Sequence, residues 1–172
     1  MPVTGVVVPV AVGAALWTLA EYLLHRFDMH SRAGRGETAR AHRAHHRTLE
    51  VPALTLGTWV GAGLVALAFA AGGEPLVAVG WMVAYVGYEL THRLIHVDGR
   101  PAGPYRRRVR AHHLHHHLVD ARSNYGVTSP AWDVVFRTYR RPRAGAGAAG
   151  ETEAGKGEAG GPGAHARWRR GR

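Results

Sequence analysis

The chain has 172 residues, enough for one domain and a tail. Lys and Arg number 22 against 12 Asp and Glu, a formal net charge of +10, and Lys156 is the only lysine. There is no cysteine, which excludes a disulfide scaffold, a Cys-ligated zinc ribbon, an iron–sulfur protein and a thiol enzyme.

Residues 3–24, VTGVVVPVAVGAALWTLAEYLL, carry a single charge, Glu21. At about 1.5 Å per residue the run spans ~33 Å, against a hydrocarbon core of about 30 Å. No basic residue precedes it, so it reads as a membrane-spanning helix and not as a signal peptide. Residues 25–50 follow, rich in arginine and histidine. A second apolar run, residues 51–71, has no charge at all. Gly72-Gly73-Glu74 then predicts a tight turn, which makes the second and third apolar segments an antiparallel hairpin. The third, residues 75–96, stays apolar until Glu89. Arginine is densest after residue 96. From residue 141 the chain is Gly- and Ala-rich with scattered charge and no periodic apolar face, the composition of a disordered tail.

This pattern predicts an all-α integral membrane protein: a domain over residues 1–140 with about three spans, and a tail over 141–172. The arginines place both histidine-rich regions and the C-terminus on the cytoplasmic side and the N-terminus outside. Three spans give the same answer by parity, so the two regions can form one cytoplasmic helical cap. The positive charge has this topological explanation, and no nucleic-acid-binding motif is present. Small residues in the second segment (Gly57, Gly61, Ala62, Gly63) permit close helix approach, or leave room for a bound chain.

Of 13 histidines, 12 fall in windows 25–46 and 92–117. They form four groups: His25 and His30 (HxxxxH); His42, His45 and His46 (HxxHH); His92 and His96 (HxxxH); and the run from His112 to His117, which holds HxxHH in two registers. On a helix, positions i, i+3 and i+4 share a face. HxxHH should therefore aim three imidazoles at one point, and HxxxH two. HxxxxH fits worse, because i and i+5 diverge by about 140° on a regular helix. The helix is expected to end or loosen between His25 and His30. One register of the last group, His113/His116/His117 or His112/His115/His116, brings the candidates to ten, which suits two metals with about five nitrogens each. Bound metal would hold so many packed imidazoles neutral. Imidazole alone does not choose among zinc, iron, copper and nickel.

The order HxxxxH, HxxHH, HxxxH, HxxHH resembles the fatty acid hydroxylase/sterol desaturase superfamily over residues 15–140. His113-x-x-His116-His117 followed by NYGVTSPAWDVVF (residues 124–136) is most similar to its fatty acid 2-hydroxylase branch. The resemblance implies a non-haem di-iron oxygenase acting on a lipid, with O2 as co-substrate and two irons as cofactor, a site that zinc can occupy in purified protein. The metal ligands it implies are His25, His30, His42, His45, His46, His92, His96, His113, His116 and His117, with His112 and His115 supporting them from behind. Eukaryotic members carry a fused cytochrome b5 domain and four spans. This sequence reads as neither, so the resemblance implies a separate donor such as a ferredoxin or a cytochrome b5-like protein. Glu89 stands where the branch has Asp, and Arg137 where it has Gly. A carotenoid- or sterol-type hydroxylase or desaturase, and a non-enzymatic membrane metal-binding protein, are the competing readings.

Glu21 and Glu89 lie within a helical turn of His25 and His92. A carboxylate there can accept the second imidazole N–H and orient the ring, or pair with arginine; Asp120 and Asp133 are weaker candidates. Asn124, Tyr125 and Trp132 are expected to shape the mouth of a substrate pocket.

Overall fold

The computed structural model describes residues 2–30, 36–51, 56–97 and 103–142. Most of the tail expected from residue 141 lies outside the described residues. All regular elements among the described residues are helical: α1 (Val3–Leu23), continued by a π-helical segment (Leu24–Met29), α2 (Glu37–Thr48), α3 (Leu56–Ala71), α4 (Pro75–Val97), α5 (Gly103–Leu118) and α6 (Ala131–Val135).

The turn expected at residues 72–74 closes α3. Gly73 sits at φ +87°, which an L side chain adopts only with strain. Its N–H reaches the Ala70 carbonyl at 3.1 Å, and the Glu74 N–H reaches Phe69 at 2.9 Å. This pair of bonds is a Schellman closure. Pro75 then opens α4, at the one helical position where a missing N–H costs nothing.

Helix α4 packs between α1 and α3. Trp59 meets Tyr85 and Phe69 meets Trp81, so α3 and α4 run antiparallel. Against α1 the order rises together: Val10 meets Gly80, and Trp17 meets Trp81, Tyr85 and Tyr88. Helices α1 and α4 are therefore parallel, which brings His25 and His96 to the same end of the bundle. Their crossing is backbone on backbone. A Cβ on Gly13 would stand 2.0 Å from the Val77 carbonyl oxygen, and one on Gly80 would stand 2.0 Å from that of Val10. The close approach expected at Gly57, Gly61 and Gly63 is not seen, since a Cβ there would meet nothing within 4 Å. Ala62 is buried, and its carbonyl accepts the Trp81 indole N–H at 3.1 Å.

The core is Trp17, Ala62, Ala66, Ala78, Trp81 and Tyr85. Outside it the helices present apolar side chains outward, Val7, Val8, Leu64, Leu67, Val83 and Leu90 among them. The continuous helix Val3–Met29 is long and apolar enough to cross a membrane, and α3 is a shorter apolar helix. Helix α4 changes character midway, from PLVAVGWMVAYVGY to a half bearing Glu89, His92, Arg93 and His96.

Candidate metal centre

The four histidine groups converge from four segments. The first lies in the π-helical turn, where the His30 N–H bonds the His25 carbonyl, five residues back, at 3.3 Å. The helix loosens there, as expected, into a π-helical segment that ends at Met29. It widens, and the wider turn cancels most of the i to i+5 divergence that an α-helix would impose. The two rings lie 5.1 Å apart, centroid to centroid.

The HxxHH groups depart from the expectation that each aims three rings at one point. The histidines form two clusters of five, and within each cluster the facing nitrogens lie within 4.8 Å of one another. The first holds His25, His30, His42, His46 and His116. The second holds His45, His92, His96, His113 and His117. Each HxxHH helix gives its i, i+4 pair to one cluster and its middle histidine to the other. Helix α2 sends His42 and His46 one way and His45 the other, and α5 sends His113 and His117 one way and His116 the other. The two clusters abut, with the His46 and His117 rings 4.1 Å apart.

The inward atoms are Nε2. In the first cluster His25 lies 3.1 Å from His42, His42 lies 2.9 Å from His30, and His30 lies 3.0 Å from His116. In the second, His45–His92 and His113–His117 are at 3.0 Å and His96–His113 at 3.1 Å. Among the described residues, three of these rings are anchored from behind. The Nδ1–H of His25 donates to the Tyr125 carbonyl, that of His45 to Glu50 and that of His116 to Ser123, the last two at 2.7 Å. A proton on Nδ1 leaves Nε2 with its lone pair facing the cluster. Leu49, at φ 59°, ends α2 in a left-handed turn that brings the Glu50 carbonyl back to His45.

Burial keeps the rings neutral. It pushes His30 down to about 4. His46 falls to about 3 through burial and the repulsion of His30 and His45. Burial, with mutual repulsion added, also lowers His42, His113, His116 and His117. Neutral imidazoles with converging lone pairs repel unless a cation lies between them. Donors about 2.1 Å from one ion are ~3.0 Å apart at right angles and ~3.4 Å apart in a tetrahedron. The observed spacings fit the right-angled set, so these residues fit a metal at each cluster.

His112 and His115 belong to neither cluster. The structure thus selects the His113/His116/His117 register for the inward rings. His112 donates from Nε2 to Asp133 at 3.0 Å and stacks on Tyr139, and His115 is buried. Asp133, the weaker candidate in sequence, is fully buried and central. Its carboxylate accepts the backbone N–H of Tyr125 and Gly126, both at 2.8 Å, and the Thr138 hydroxyl at 2.7 Å. Burial pushes its carboxyl up, but the bonds from His112, Thr138, Gly126 and Tyr125 outweigh this and hold it below the usual value.

Of the two glutamates, Glu89 takes the arginine-paired place and Glu21 takes neither place expected of it. Glu21 accepts the Val127 N–H at 2.5 Å, the Thr128 N–H at 3.2 Å and the Thr128 hydroxyl at 2.8 Å. Both nitrogens of His25 are engaged elsewhere. Glu89 stands 3.6 Å from Arg93, the arginine-paired alternative.

A cavity of about 600 Å³ runs between α1, α3 and α4 and ends on histidines of both clusters: His25, His42, His45, His92 and His113. Its walls are Trp17, Gly61, Val65, Trp81, Tyr85 and Tyr88, with Glu21 and Glu89 also lining it. Asn124, Tyr125 and Trp132, expected at the pocket, lie elsewhere. Asn124, at φ 56°, binds the Arg140 backbone through both ends of its amide. The Tyr125 ring covers the outside of the first cluster, 5.4 Å from His116 and 5.6 Å from His25 and His30. Trp132 donates to the Thr18 hydroxyl on α1 at 3.0 Å. Polar contacts hold Asn124 and Trp132 and ring packing holds Tyr125, and no local pattern announces either. The cavity aromatics did leave a trace in the sequence: Trp81, Tyr85, Tyr88 and His92 recur at helical spacing along one face of α4.

A family model described as fatty acid hydroxylase matches residues 10–138. The chain belongs to the fatty acid hydroxylase family. Among relatives in this family, the human fatty acid 2-hydroxylase is 31% identical over 142 residues, covering 73% of this chain and 38% of that protein. The dihydroceramide fatty acyl 2-hydroxylase FAH2 of Arabidopsis thaliana is 34% identical, covering 75% of this chain and 59% of that protein. The ceramide very long chain fatty acid hydroxylase SCS7 of Saccharomyces cerevisiae is 34% identical, covering 77% and 38%. This chain therefore spans less than two thirds of the length of these fatty acid hydroxylases. A solved structure of full-length Scs7p, in which only the hydroxylase domain is visible, superposes with a TM-score of 0.62 at 30% identity, covering 84% of this chain and 60% of that one.

Proposed function

We propose that this chain is a membrane-bound, iron-dependent oxygenase that hydroxylates a C–H bond of a fatty acyl chain, in the manner of a 2-hydroxylase. The observation that carries this reading is the joining of an aromatic, largely apolar cavity to two five-histidine clusters at its end. The relatives' names add fatty acyl hydroxylation and do not favour a carotenoid or sterol substrate. Five nitrogen donors at right-angled spacing support iron over tetrahedral zinc. The ligands are the ten clustered histidines, within a domain over residues 1–140.

Trp17, Val65, Trp81 and Tyr85 bind the acyl chain by apolar contact and exclude water from it. The parallel α1 and α4 bring His25 and His92 to the end of that chain, and α2 and α5 add His42, His45 and His113, so its terminal polar region and the adjacent carbon face both clusters. The Tyr125, Glu50 and Ser123 carbonyls fix three of the rings with Nε2 inward. When bound, a pair of irons supplies the redox chemistry that uses O2 and electrons from a separate donor protein to oxidise the C–H bond. The outward apolar faces of α1, α3 and α4 sit in the bilayer. The arginines around the histidine groups keep the clusters on the cytoplasmic side, with the N-terminus opposite.

Lipids of an expressing host, with O2 and a competent reductase system, are compared with and without the chain. Hydroxylated fatty acyl products should appear, and His116→Ala should abolish them. Absence of any new hydroxylated lipid in cells that hold metal-loaded protein sinks the proposal.

A further inference from the structure

The two clusters are not supported alike. In the first, the His25 and His116 Nδ1 atoms donate to the carbonyls of Tyr125 and Ser123. Both carbonyls belong to one short stretch, residues 123–128. In the second, His45 donates to Glu50, while the Nδ1 atoms of His113 and His117 are buried with no partner among the described residues. The stretch 123–128 is itself held at both ends. Asp133 takes the N–H groups of Tyr125 and Gly126, and Glu21 takes those of Val127 and Thr128 with the Thr128 hydroxyl. Glu21 lies one helical turn before His25, so one continuous helix supplies both a ring and an anchor for the stretch whose Tyr125 carbonyl orients that ring.

We propose that this strap makes the first cluster the tighter of two unequal metal sites, with Glu21 as its positioning residue. The inference rests on the reading of both clusters as metal sites. A carbonyl behind an imidazole fixes its tautomer, holds the ring in place and raises the basicity of the ligating nitrogen. Loss of such a partner typically costs about 10–100-fold in metal affinity. Among the described residues, the first cluster has two rings so held from one short stretch, whereas the second has one ring held and two buried Nδ1 atoms without support. The first ion added therefore goes to His25, His30, His42, His46 and His116.

The test uses metal-free full-length protein in detergent, titrated with Co²⁺ and followed by calorimetry and by visible absorption of the bound ion. Wild type should bind in two steps separated by about tenfold or more. His25→Ala should remove the tighter step and His92→Ala the weaker one. Glu21→Ala should weaken the tighter step by about 10–100-fold and leave the weaker one unchanged. Glu21→Gln, whose amide oxygen can still accept a loop N–H, should fall between. Uptake of two ions in one step of equal affinity overturns the inference, as does loss of the weaker step in His25→Ala or an unchanged tight step in folded Glu21→Ala. If Glu21→Ala does not fold, wild type and the two histidine variants decide. Failure of wild type to take up any Co²⁺ overturns the metal reading of the site itself, a different result from equal uptake.

Discussion

His45 and His46 are consecutive residues of α2, yet their imidazoles belong to different clusters. His116 and His117 repeat the arrangement on α5. Consecutive residues on a helix are turned about 100° from each other, so one helix lying between two sites serves both. The clusters are thereby interlocked: each takes a pair from one HxxHH helix and a single ring from the other.

This division separates His116 from His115. His116→Ala removes an inward donor and should lower the metal content measured by elemental analysis by about half or more. His115→Gln alters a buried ring outside both clusters and should leave metal per folded chain unchanged. Equal losses in the two variants would contradict the observed register.

The glycine crossing predicts a contrast in stability. Gly80→Ala puts a methyl group against the Val10 carbonyl, a backbone atom that cannot rotate away. The helices must separate, at a cost of about 1–3 kcal/mol or more, visible as a lower unfolding midpoint in detergent. Gly61→Ala meets nothing within 4 Å and should leave the midpoint in place.

Gly61 also lines the cavity. Gly61→Leu should fill part of it, so that shorter acyl chains are hydroxylated in preference to longer ones while the metal content stays constant. Mass spectrometry of the lipid products reads the shift, and an unchanged chain-length profile would remove Gly61 from the substrate's path.

The metal-free protein should be acid-sensitive in a defined window. His30 and His46 lie at about 4 and about 3 in the folded chain, against about 6.5 when unfolded. Between those values the unfolded chain takes up protons that the folded chain refuses. Stability therefore falls as pH drops from about 6.5 toward 4, and is full above about 6.5. Unfolding midpoints at about pH 7.5 and pH 5 should differ with the lower at pH 5, and a midpoint independent of pH would refute the neutral, buried state of these rings.

The helical class and the four histidine groups were legible in the sequence because composition and short-range spacing carry them; spacing left the register within residues 112–117 open, and the family resemblance supplied it. The split of HxxHH was not legible, because spacing tells which residues share a face but not that two targets flank it. HxxxxH signalled that the helix loosens between His25 and His30, and the π-helical turn is the form of loosening that suits a five-residue interval. Glu21 and Asp133 drew notice as carboxylates near histidines. Both bind backbone N–H groups at residues 125–128, more than a hundred positions from Glu21, and backbone donors have no residue-type signature; the other partners are the Thr128 and Thr138 hydroxyls and, for Asp133, the His112 ring. Asn124 and Trp132 have the chemistry of pocket residues, but their polar atoms bind the Arg140 backbone and the Thr18 hydroxyl and hold the chain together.

The cavity has no lining residue before Trp17 on α1 or before Trp81 on α4, and just beyond those two indoles the main chains of the helices touch at Gly13 and Gly80. Behind the two indoles, then, lies a seam of peptide groups. Trimming the indoles can broaden the cavity, but extending it further would mean prying the two rods apart.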